Sequence, residues 1–471
     1  MKLINCNRFS FLVVIAALFL AASCKKESYI TSPNAILRTS ADTLHFDTVF
    51  TTLGSTTKFL KVFNLNNQKL KLSSLTLKGG SGSFFKLNVD GISGTNFSNL
   101  ELEPNDSLYM FATVRIDPNA SNLPFLVRDS IEIKYNGNTK WIQLQAYGKN
   151  ARFLKSTRVT SDSSFSNSMP IVILGSLTIE QNKTLTIQKG TQLYIHANAP
   201  IIVNGTLKAI GDTNANDKII FQGIRIDEPY RDYPGSWPYI YFSPSSKDNQ
   251  LQHCIIKNAY QGVVAENPSS NSNPKVTIDQ CIFNNIYDKA LLCSNSSLTA
   301  RNCLISNCGF GFYAISGGTY NFNHCTFASF SNYYLSHKES LITLSNTTND
   351  LSNSNALNVT VNNSIIYGDG GFVENEIIVP KNNPAVGFTV SCNSILYRQK
   401  TNPANVTITN SLKDVNPNFE QIDYTKNIFN YNIKSNSPCI NTALAPSLAV
   451  DLDGKPRPLG PKPDMGCYEK Q

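Results

Sequence analysis

The sequence predicts an all-β protein with an N-terminal antiparallel β-sandwich followed by a solenoid of stacked β-strand coils. The pattern Cys-x-hydrophobic-x-Asn begins at Cys254, Cys281 and Cys303, and a weaker copy begins at Cys325. These cysteines are 27, 22 and 22 residues apart, and a period of this length indicates that each repeat is one coil stabilised by its neighbours. Asn and Ser clusters also separate short runs of Val, Ile, Leu, Phe and Tyr, as expected for short strands.

The repeated cysteines and asparagines have a structural explanation. Cysteines at equivalent places in successive coils are expected to point inward and to act as small buried hydrophobic residues. The asparagine four places after each cysteine marks the next corner, where Asn tolerates a left-handed backbone and its amide can bond the equivalent residue of the neighbouring coil. The predicted ladder therefore consists of the four cysteines above together with Asn258, Asn285 and Asn307.

The first residues predict export and a lipid anchor. Lys2 and Arg8 precede an apolar run of signal-peptide length, which ends in Leu-Ala-Ala-Ser before Cys24. This end resembles a bacterial lipobox, although Ala21 stands where Leu is commoner; the resemblance implies a signal peptide over 1–23 and acylation of Cys24. An ordinary secretory signal is the alternative. With the anchor, the protein is expected at the bacterial outer membrane or cell surface, with a tether over 24–38.

Residues 39–154 are predicted to form the sandwich. Alternating strands such as Phe59–Leu65 and Ser107–Val114 follow one another without repeating, which is typical of an antiparallel sandwich of about seven strands. The turn Leu102–Ser107 and the strand after it resemble the immunoglobulin-like domains that precede repeat regions in bacterial surface lipoproteins.

Residues 165–435 are predicted to form the solenoid. Short strands such as Ile201–Leu207 have Asn-Gly and Gly-Thr corners, and they resemble the first coils of right-handed parallel β-helix proteins of the pectate-lyase-like superfamily. The stretch Asp451-Leu452-Asp453-Gly454 and the residues after it resemble the end signature of secreted β-helix proteins, which implies that 436–471 cap the solenoid. Asp451 and Asp453 could be read as calcium ligands, but the other ligands of an EF-hand loop do not follow at the required spacing, so a hydrogen-bonded cap turn is the expected structure. No metal site and no cofactor are predicted.

One disulfide remains a candidate. Export places the chain in an oxidising compartment, where disulfides persist. Cys439 and Cys467 both lie in the C-terminal closing segment, and a disulfide between them and two free thiols are the two alternatives.

No assembled catalytic site is evident. A glycosidase needs two carboxylates about 5–9.5 Å apart, and a lyase needs a base with a means to neutralise a uronate. The outward positions around the ladder contain no carboxylate pair, and Asp279 with Arg301 reads as a cross-strand salt bridge. The segment 224–237 interrupts the coil pattern with charges and aromatic residues. Its candidate glycan-binding residues are Asp227, Glu228, Tyr230, Arg231 and Trp237, although a loop packed on the adjoining coil is the alternative.

The expected function is non-catalytic glycan binding or adhesion by a lipid-anchored surface protein. The net charge of +8 is spread over 471 residues without a Lys/Arg block beyond Lys25–Lys26, which argues against nucleic acid as a partner. The expected partners are the membrane, through the lipid, and a polysaccharide; a monomer is expected. The alternative function is a polysaccharide lyase or glycoside hydrolase, because the same fold hosts enzymes and binding proteins.

Overall fold

The computed structural model describes residues 28–51, 53–117, 125–445 and 448–470. It contains two compact units, which divide between Asn150 and Ala151. The predicted lipidation site Cys24 lies outside the described residues. No helix in the described ranges is long and apolar enough to cross a membrane.

The first unit is a β-sandwich of two five-stranded sheets, with the orders β1-β3-β8-β5-β6 and β2-β10-β9-β4-β7. Its strands are β1 (Leu37–Thr39), β2 (Thr43–Phe50), β3 (Lys58–Asn64), β4 (Leu70–Leu77), β5 (Phe85–Val89), β6 (Ile92–Gly94), β7 (Asn96–Leu102), β8 (Ser107–Val114), β9 (Phe125–Tyr135) and β10 (Asn138–Lys149). Nearly all pairs are antiparallel, as predicted, but β2 pairs with β10 in parallel. The sandwich has ten strands rather than about seven, because short strands such as β1 and β6 at its edges carry no clear alternation.

The sandwich begins before the predicted boundary at residue 39. Tyr29 forms a parallel bridge with Lys69, and the Ile30 amide donates to the Lys69 carbonyl at 2.8 Å. Ala35 is buried in the sandwich core. Most of the predicted tether over 24–38 is therefore part of the folded domain, because Ala35 and Leu37 are buried in its core and Ile30 packs against it.

The second unit is a parallel β-helix, which confirms the predicted fold class. Its 26-stranded sheet pairs each strand with an equivalent strand one turn away. The strands are β11 (Arg152–Val159), β12 (Ser163–Phe165), β13 (Ile171–Ile179), β14 (Thr184–Gln188), β15 (Gln192–Ile195), β16 (Ile201–Val203), β17 (Thr206–Ile210), β18 (Ile219–Gly223), β19 (Ile240–Phe242), β20 (Asn249–Gln252), β21 (Cys254–Lys257), β22 (Val263–Glu266), β23 (Val276–Asp279), β24 (Ile282–Asn284), β25 (Lys289–Arg301), β26 (Leu304–Ser306), β27 (Phe310–Asn323), β28 (Thr326–Phe330), β29 (Ile342–Leu344), β30 (Leu357–Asn362), β31 (Ile365–Asp369), β32 (Ile377–Ile378), β33 (Phe388–Asn393), β34 (Leu396–Tyr397), β35 (Thr407–Thr409) and β36 (Leu412–Lys413). Short 3₁₀ turns cover Gly80–Gly82, Ala215–Asp217 and Tyr230–Asp232.

The parallel coils cover a different range from the predicted 165–435. They begin at Arg152, because β11 already pairs in parallel with β13. They end at Lys413, and the following strands β37 (Phe419–Asp423) and β38 (Ile428–Ile433) form a separate antiparallel hairpin. Alternating apolar residues in these two strands resemble a further coil in sequence, but they pack against the outside of the solenoid.

We call the column of strands that follows the ladder cysteines the front face; its strands are β15, β18, β21, β24, β26, β28, β31, β34 and β36. Leu304, Ile365 and Leu396 point outward from this face, yet they are buried. They form one apolar cluster with Phe419 and Tyr431 of the hairpin and with residues of the C-terminal segment. The hairpin is thus held by an apolar stripe on the solenoid exterior.

The C-terminal segment, which was predicted to cap the solenoid end, instead lies along its side. Its contacts follow the corner before the front-face strands: Ser394 donates to Thr442, Asn302 donates to Val450 at 2.7 Å, and Gln280 donates to Asp451 at 3.0 Å. The alternation needed for a further coil is missing from this segment, so it uses its polar backbone groups to bond these corner side chains. We call residues 436–470 the clasp.

Candidate functional site

A groove of about 440 Å³ lies on the front face over β21, β24 and β26. Its floor consists of two outward columns that the parallel register aligns, and these contain Ile255, Ile282 and Leu304, and Lys257, Asn284 and Ser306. Residues alternate between interior and exterior along a strand, so the buried Ile256 and Phe283 between them belong to the core. The floor is therefore half apolar and half polar.

The corner asparagines border this floor. Asn258, Asn285 and Asn307 have φ of 61°, 57° and 51°, the left-handed conformation that Asn tolerates better than most residues. The Asn285 amide donates to Asn258 Oδ1 at 2.9 Å, which is the bond between neighbouring coils that the sequence predicted. Asn307 departs from the ladder, since its Oδ1 accepts from the Phe330 amide at 3.1 Å and from the Tyr431 hydroxyl at 2.7 Å.

The same asparagines hold the loop 224–237 against the groove. Asn258 Nδ2 donates to the Arg231 carbonyl at 2.7 Å, and Asn285 Nδ2 donates to the Asp232 carbonyl at 2.6 Å. These bonds place Asp232 on the groove wall. Asp232 was not among the residues predicted to bind glycan, because its position depends on these bonds between turns.

The predicted glycan-binding residues Asp227, Glu228, Tyr230 and Arg231 do not line the groove. Asp227 accepts two bonds of 2.6 Å from Arg225, and Arg231 pairs with Glu228 at 2.7 Å. The Arg225 guanidinium also lies over the Tyr230 ring at 3.9 Å. Their charges are largely satisfied within the loop itself, so they shape the wall instead of facing its interior.

Trp237 is not a glycan platform. It is fully buried in the solenoid core, and its Nε1 donates to the Lys257 carbonyl at 2.9 Å. Its isolated bridge with Ala259 makes it part of a coil and not of the loop. Trp237 stands where the chain re-enters the coil after the loop, and its large aromatic side chain buries more apolar surface inside the coil than it could on the loop.

Two further segments complete the wall. The loop after β28 contributes Asn332 and Tyr334, and the Tyr334 ring lies 5.3 Å from that of Tyr233. Two loops that leave distant turns of the solenoid therefore meet beside the groove. The hairpin closes the remaining side with Asn427, Phe429 and Tyr431. Sequence reasoning missed both segments, since no spacing in the chain shows that they approach β21.

Two groups in the groove lack a protein partner. Lys257 Nζ forms no hydrogen bond or ion pair within the described part of the chain, and burial lowers the pKa of Lys257 despite the nearby charge of Asp232. Asn285 is 6% exposed, and its Oδ1 is buried without a hydrogen-bond partner. A buried acceptor left unpaired costs about 1–3 kcal/mol, but Asn285 Oδ1 has almost no accessible surface, so Lys257 is the unpaired group whose side chain lines the groove.

Among the described residues, the polar corner column beside the ladder is largely covered by the clasp. His253, Gln280, Asn302 and His324 all have left-handed φ, and the clasp covers the last three. Arg301 forms two bonds of 2.6 Å with Asp279, the predicted salt bridge. No group of three or more His, Cys, Asp or Glu in the described ranges could hold a metal ion.

The ladder cysteines are buried and form no disulfide, and the same holds for Cys439 and Cys467. The candidate disulfide is therefore not formed in the structure. Cys467 lies beneath the clasp, where its amide donates to Thr326 Oγ1 at 3.0 Å, whereas the Cys439 amide donates to Ser437 Oγ at 3.2 Å. Burial raises the pKa of Cys439 to about 12, so these thiols pack as apolar groups.

No family model and no curated protein matches the chain. Among solved structures, it is similar to the family 28 exopolygalacturonase of Yersinia enterocolitica, at 9% identity over 76% of this chain and 94% of that one, with a TM-score of 0.24. A family 123 glycoside hydrolase from Clostridium perfringens is 12% identical over 26% of each chain, with a TM-score of 0.18. A human PapD-like domain is 13% identical over 27% of this chain and 94% of that one, with a TM-score of 0.18.

The matched region thus spans about a quarter of the glycoside hydrolase. With similarities this low, functional conclusions depend on the groove itself. The fold and the groove define the class: a β-sandwich joined in sequence to a parallel β-helix that carries a mixed apolar and polar groove on one face.

Proposed function

We propose that the protein binds an acidic glycan in the front-face groove, as a lipid-anchored protein of the outer membrane or cell surface. The observation that carries this proposal is a lysine that has no hydrogen bond or ion pair within the described part of the chain and lies on a floor that is half apolar and half polar. Lys257 can bind a carboxylate or sulfate, and the Asn284 amide on the same floor can bond a sugar hydroxyl.

The rest of the groove fits a sugar as well. Tyr334 and Phe429 supply aromatic surface, and Asn284, Asn332 and Asn427 supply amides that bond hydroxyls in either direction. Ligand sites commonly combine apolar lining with a few polar groups that orient the ligand. The expected partner is a polysaccharide, and a monomer is expected.

Binding without cleavage is favoured over hydrolysis. Asp232 is the one carboxylate among the residues lining the groove, whereas glycoside hydrolysis ordinarily requires two. A lyase is the second candidate, because the lowered pKa of Lys257 makes its neutral, basic form more accessible. The two differ in whether the polymer survives contact with the protein.

Replacement of Lys257 tests the proposal. Lys257→Met should weaken binding to a uronate polysaccharide by about 10- to 100-fold, since a hydrogen bond to a charged group contributes about 1.5–3 kcal/mol. Affinity electrophoresis or calorimetry would measure the loss. Lys155→Met, at an exposed position in the first turn, is the matched control and should bind like the wild type.

The same assay distinguishes non-catalytic glycan binding from lyase activity. The wild type should bind the carboxyl-reduced polymer weakly, and Lys257→Met should reduce that affinity little further. Equal binding of Lys257→Met and the wild type to the acidic polymer would contradict the proposal. Release of unsaturated uronate ends by the wild type, lost in Lys257→Met, would show a lyase instead.

A further inference from the structure

The folded part of the sandwich begins closer to the predicted anchor than the sequence suggested. Ser28 Oγ accepts a bond from Gln68 Nε2 at 2.6 Å, and Tyr29 pairs with Lys69. Asn136 Nδ2 donates to the carbonyls of Ile30 and Ser32 at 2.8 and 3.1 Å. The chain is therefore fastened to the domain from Ser28 onward.

Only Lys25, Lys26 and Glu27 separate Cys24 from this fastened segment. A fully extended chain spans at most ~3.3–3.6 Å per residue, so Ser28 lies within ~14 Å of Cys24. The headgroup layer on each side of a bilayer is itself about 5–8 Å thick. Such an anchor therefore holds Ser28 within about 6–9 Å of the outer edge of the headgroups, which is less than the ~14 Å radius of gyration of a domain of this size.

The surface around Ser28 is suited to that contact. Ile36 is 56% exposed and Leu65 is 48% exposed. They are neighbours, because the Leu65 amide donates to the Ile36 carbonyl and Asn66 bonds both backbone groups of Ile36. Leu65 directly precedes the Asn66–Lys69 segment to which Ser28 and Tyr29 are fastened. We call Ile36, Leu65 and the adjoining Tyr29 the apolar end of the sandwich.

Charge at this end is not basic. Lys69 is paired with Glu103 at 2.9 Å, and Glu103 is 55% exposed. Asp106 lies at the same end, since its carbonyl accepts from the Asn64 amide. The described residues at this end thus add little attraction to anionic headgroups, and contact with lipid depends on apolar side chains and on the short anchor, which carries Lys25 and Lys26.

We propose that the apolar end of the sandwich lies on the lipid surface that holds the acyl chains of Cys24. The proposal rests on the lipid anchor of the proposed function, and it is independent of glycan binding. It assigns the sandwich a membrane-facing end, which neither the fold class nor the groove requires.

Site-specific fluorescence on the mature lipidated protein tests this arrangement. Leu65→Cys and Thr57→Cys, which flank opposite ends of β3, would each carry an environment-sensitive fluorophore in phosphatidylcholine vesicles containing a nitroxide lipid. The described native cysteines are buried, so the new surface thiol should react selectively. We expect at least twofold stronger quenching and a blue-shifted emission at Leu65, and little of either at Thr57.

A variant with a longer linker tests whether the quenching depends on the short anchor. Insertion of about 20 Gly/Ser residues between Glu27 and Ser28 provides a mean reach of ~25 Å, and it should reduce the quenching at Leu65 severalfold. Equal quenching at the two positions, or quenching at Leu65 that the linker leaves unchanged, would overturn the proposal. The mass of the N-terminal peptide reports acylation separately, and an unacylated Cys24 would also overturn it, whatever the glycan assays show.

Discussion

Replacement of Arg457 by Met should destabilise the solenoid by about 3–5 kcal/mol, because it leaves a buried carboxylate without its partner. Arg457 in the clasp bonds Glu469 Oε2 at 2.9 Å, Asn302 Oδ1 at 2.9 Å and the Gly466 carbonyl at 3.1 Å. Both side chains of the ion pair are essentially fully buried. Burial lowers the pKa of Arg457 and raises the pKa of Glu469, so each charge depends on the other.

The chain offers a clean reporter for this measurement. It contains two tryptophans, of which Trp237 lies in the solenoid core and Trp141 lies on the sandwich. In a Trp141→Phe background, urea unfolding followed by fluorescence therefore reports the solenoid. The double variant Arg457→Met, Glu469→Gln should recover much of the loss. A change below about 0.5 kcal/mol for Arg457→Met would mean that the clasp does not stabilise the coils.

Acid should destabilise the solenoid through His324. This side chain is fully buried, its Nδ1 has no partner, and burial followed by the Arg457 charge lowers its pKa to about 3. The native state then binds fewer protons than the unfolded chain, whose histidine titrates near 6.5. The stabilisation is complete above pH 6.5 and falls by up to about 1.4 kcal/mol per pH unit below it, or ~3 kcal/mol by pH 4.

His324→Asn should remove this part of the pH dependence. Asn302 and Asn363 occupy the same left-handed corner one turn away on either side, so the replacement suits the backbone. Urea midpoints at pH 7 and pH 4 should differ less in the variant than in the wild type. His196→Asn, at an exposed position, is the control. An unchanged pH dependence in His324→Asn would show that other groups govern acid unfolding.

The repeat established the solenoid but not the parts that lie outside it. The cysteines at 254, 281 and 303 fall at equivalent positions because every coil buries the same side of its strands, and this regularity appears in the sequence as a repeat. The clasp and the hairpin have no period. They bind an outward stripe, Leu304, Ile365 and Leu396, whose apolar character directly after each cysteine position was a signal that could have been used.

The groove, too, could be predicted from the sequence only in part. Its floor residues Lys257 and Asn284 follow from the register of the ladder, so they could have been placed on one face from the sequence. Its walls depend on Asn258 and Asn285 binding the loop at Arg231 and Asp232, and on Tyr233 meeting Tyr334 about a hundred residues away. Aromatic and charged residues drew attention to the loop, but Trp237 belongs to the core, where apolar burial outweighs any use at the surface.

A crystal structure of the protein with an acidic oligosaccharide tests the central claim most directly. We expect the sugar over β21 and β24, with its anionic group within hydrogen-bond distance of Lys257 Nζ and a hydroxyl bonded to the Asn284 amide. A bound sugar elsewhere on the solenoid, with this groove empty, would contradict the account.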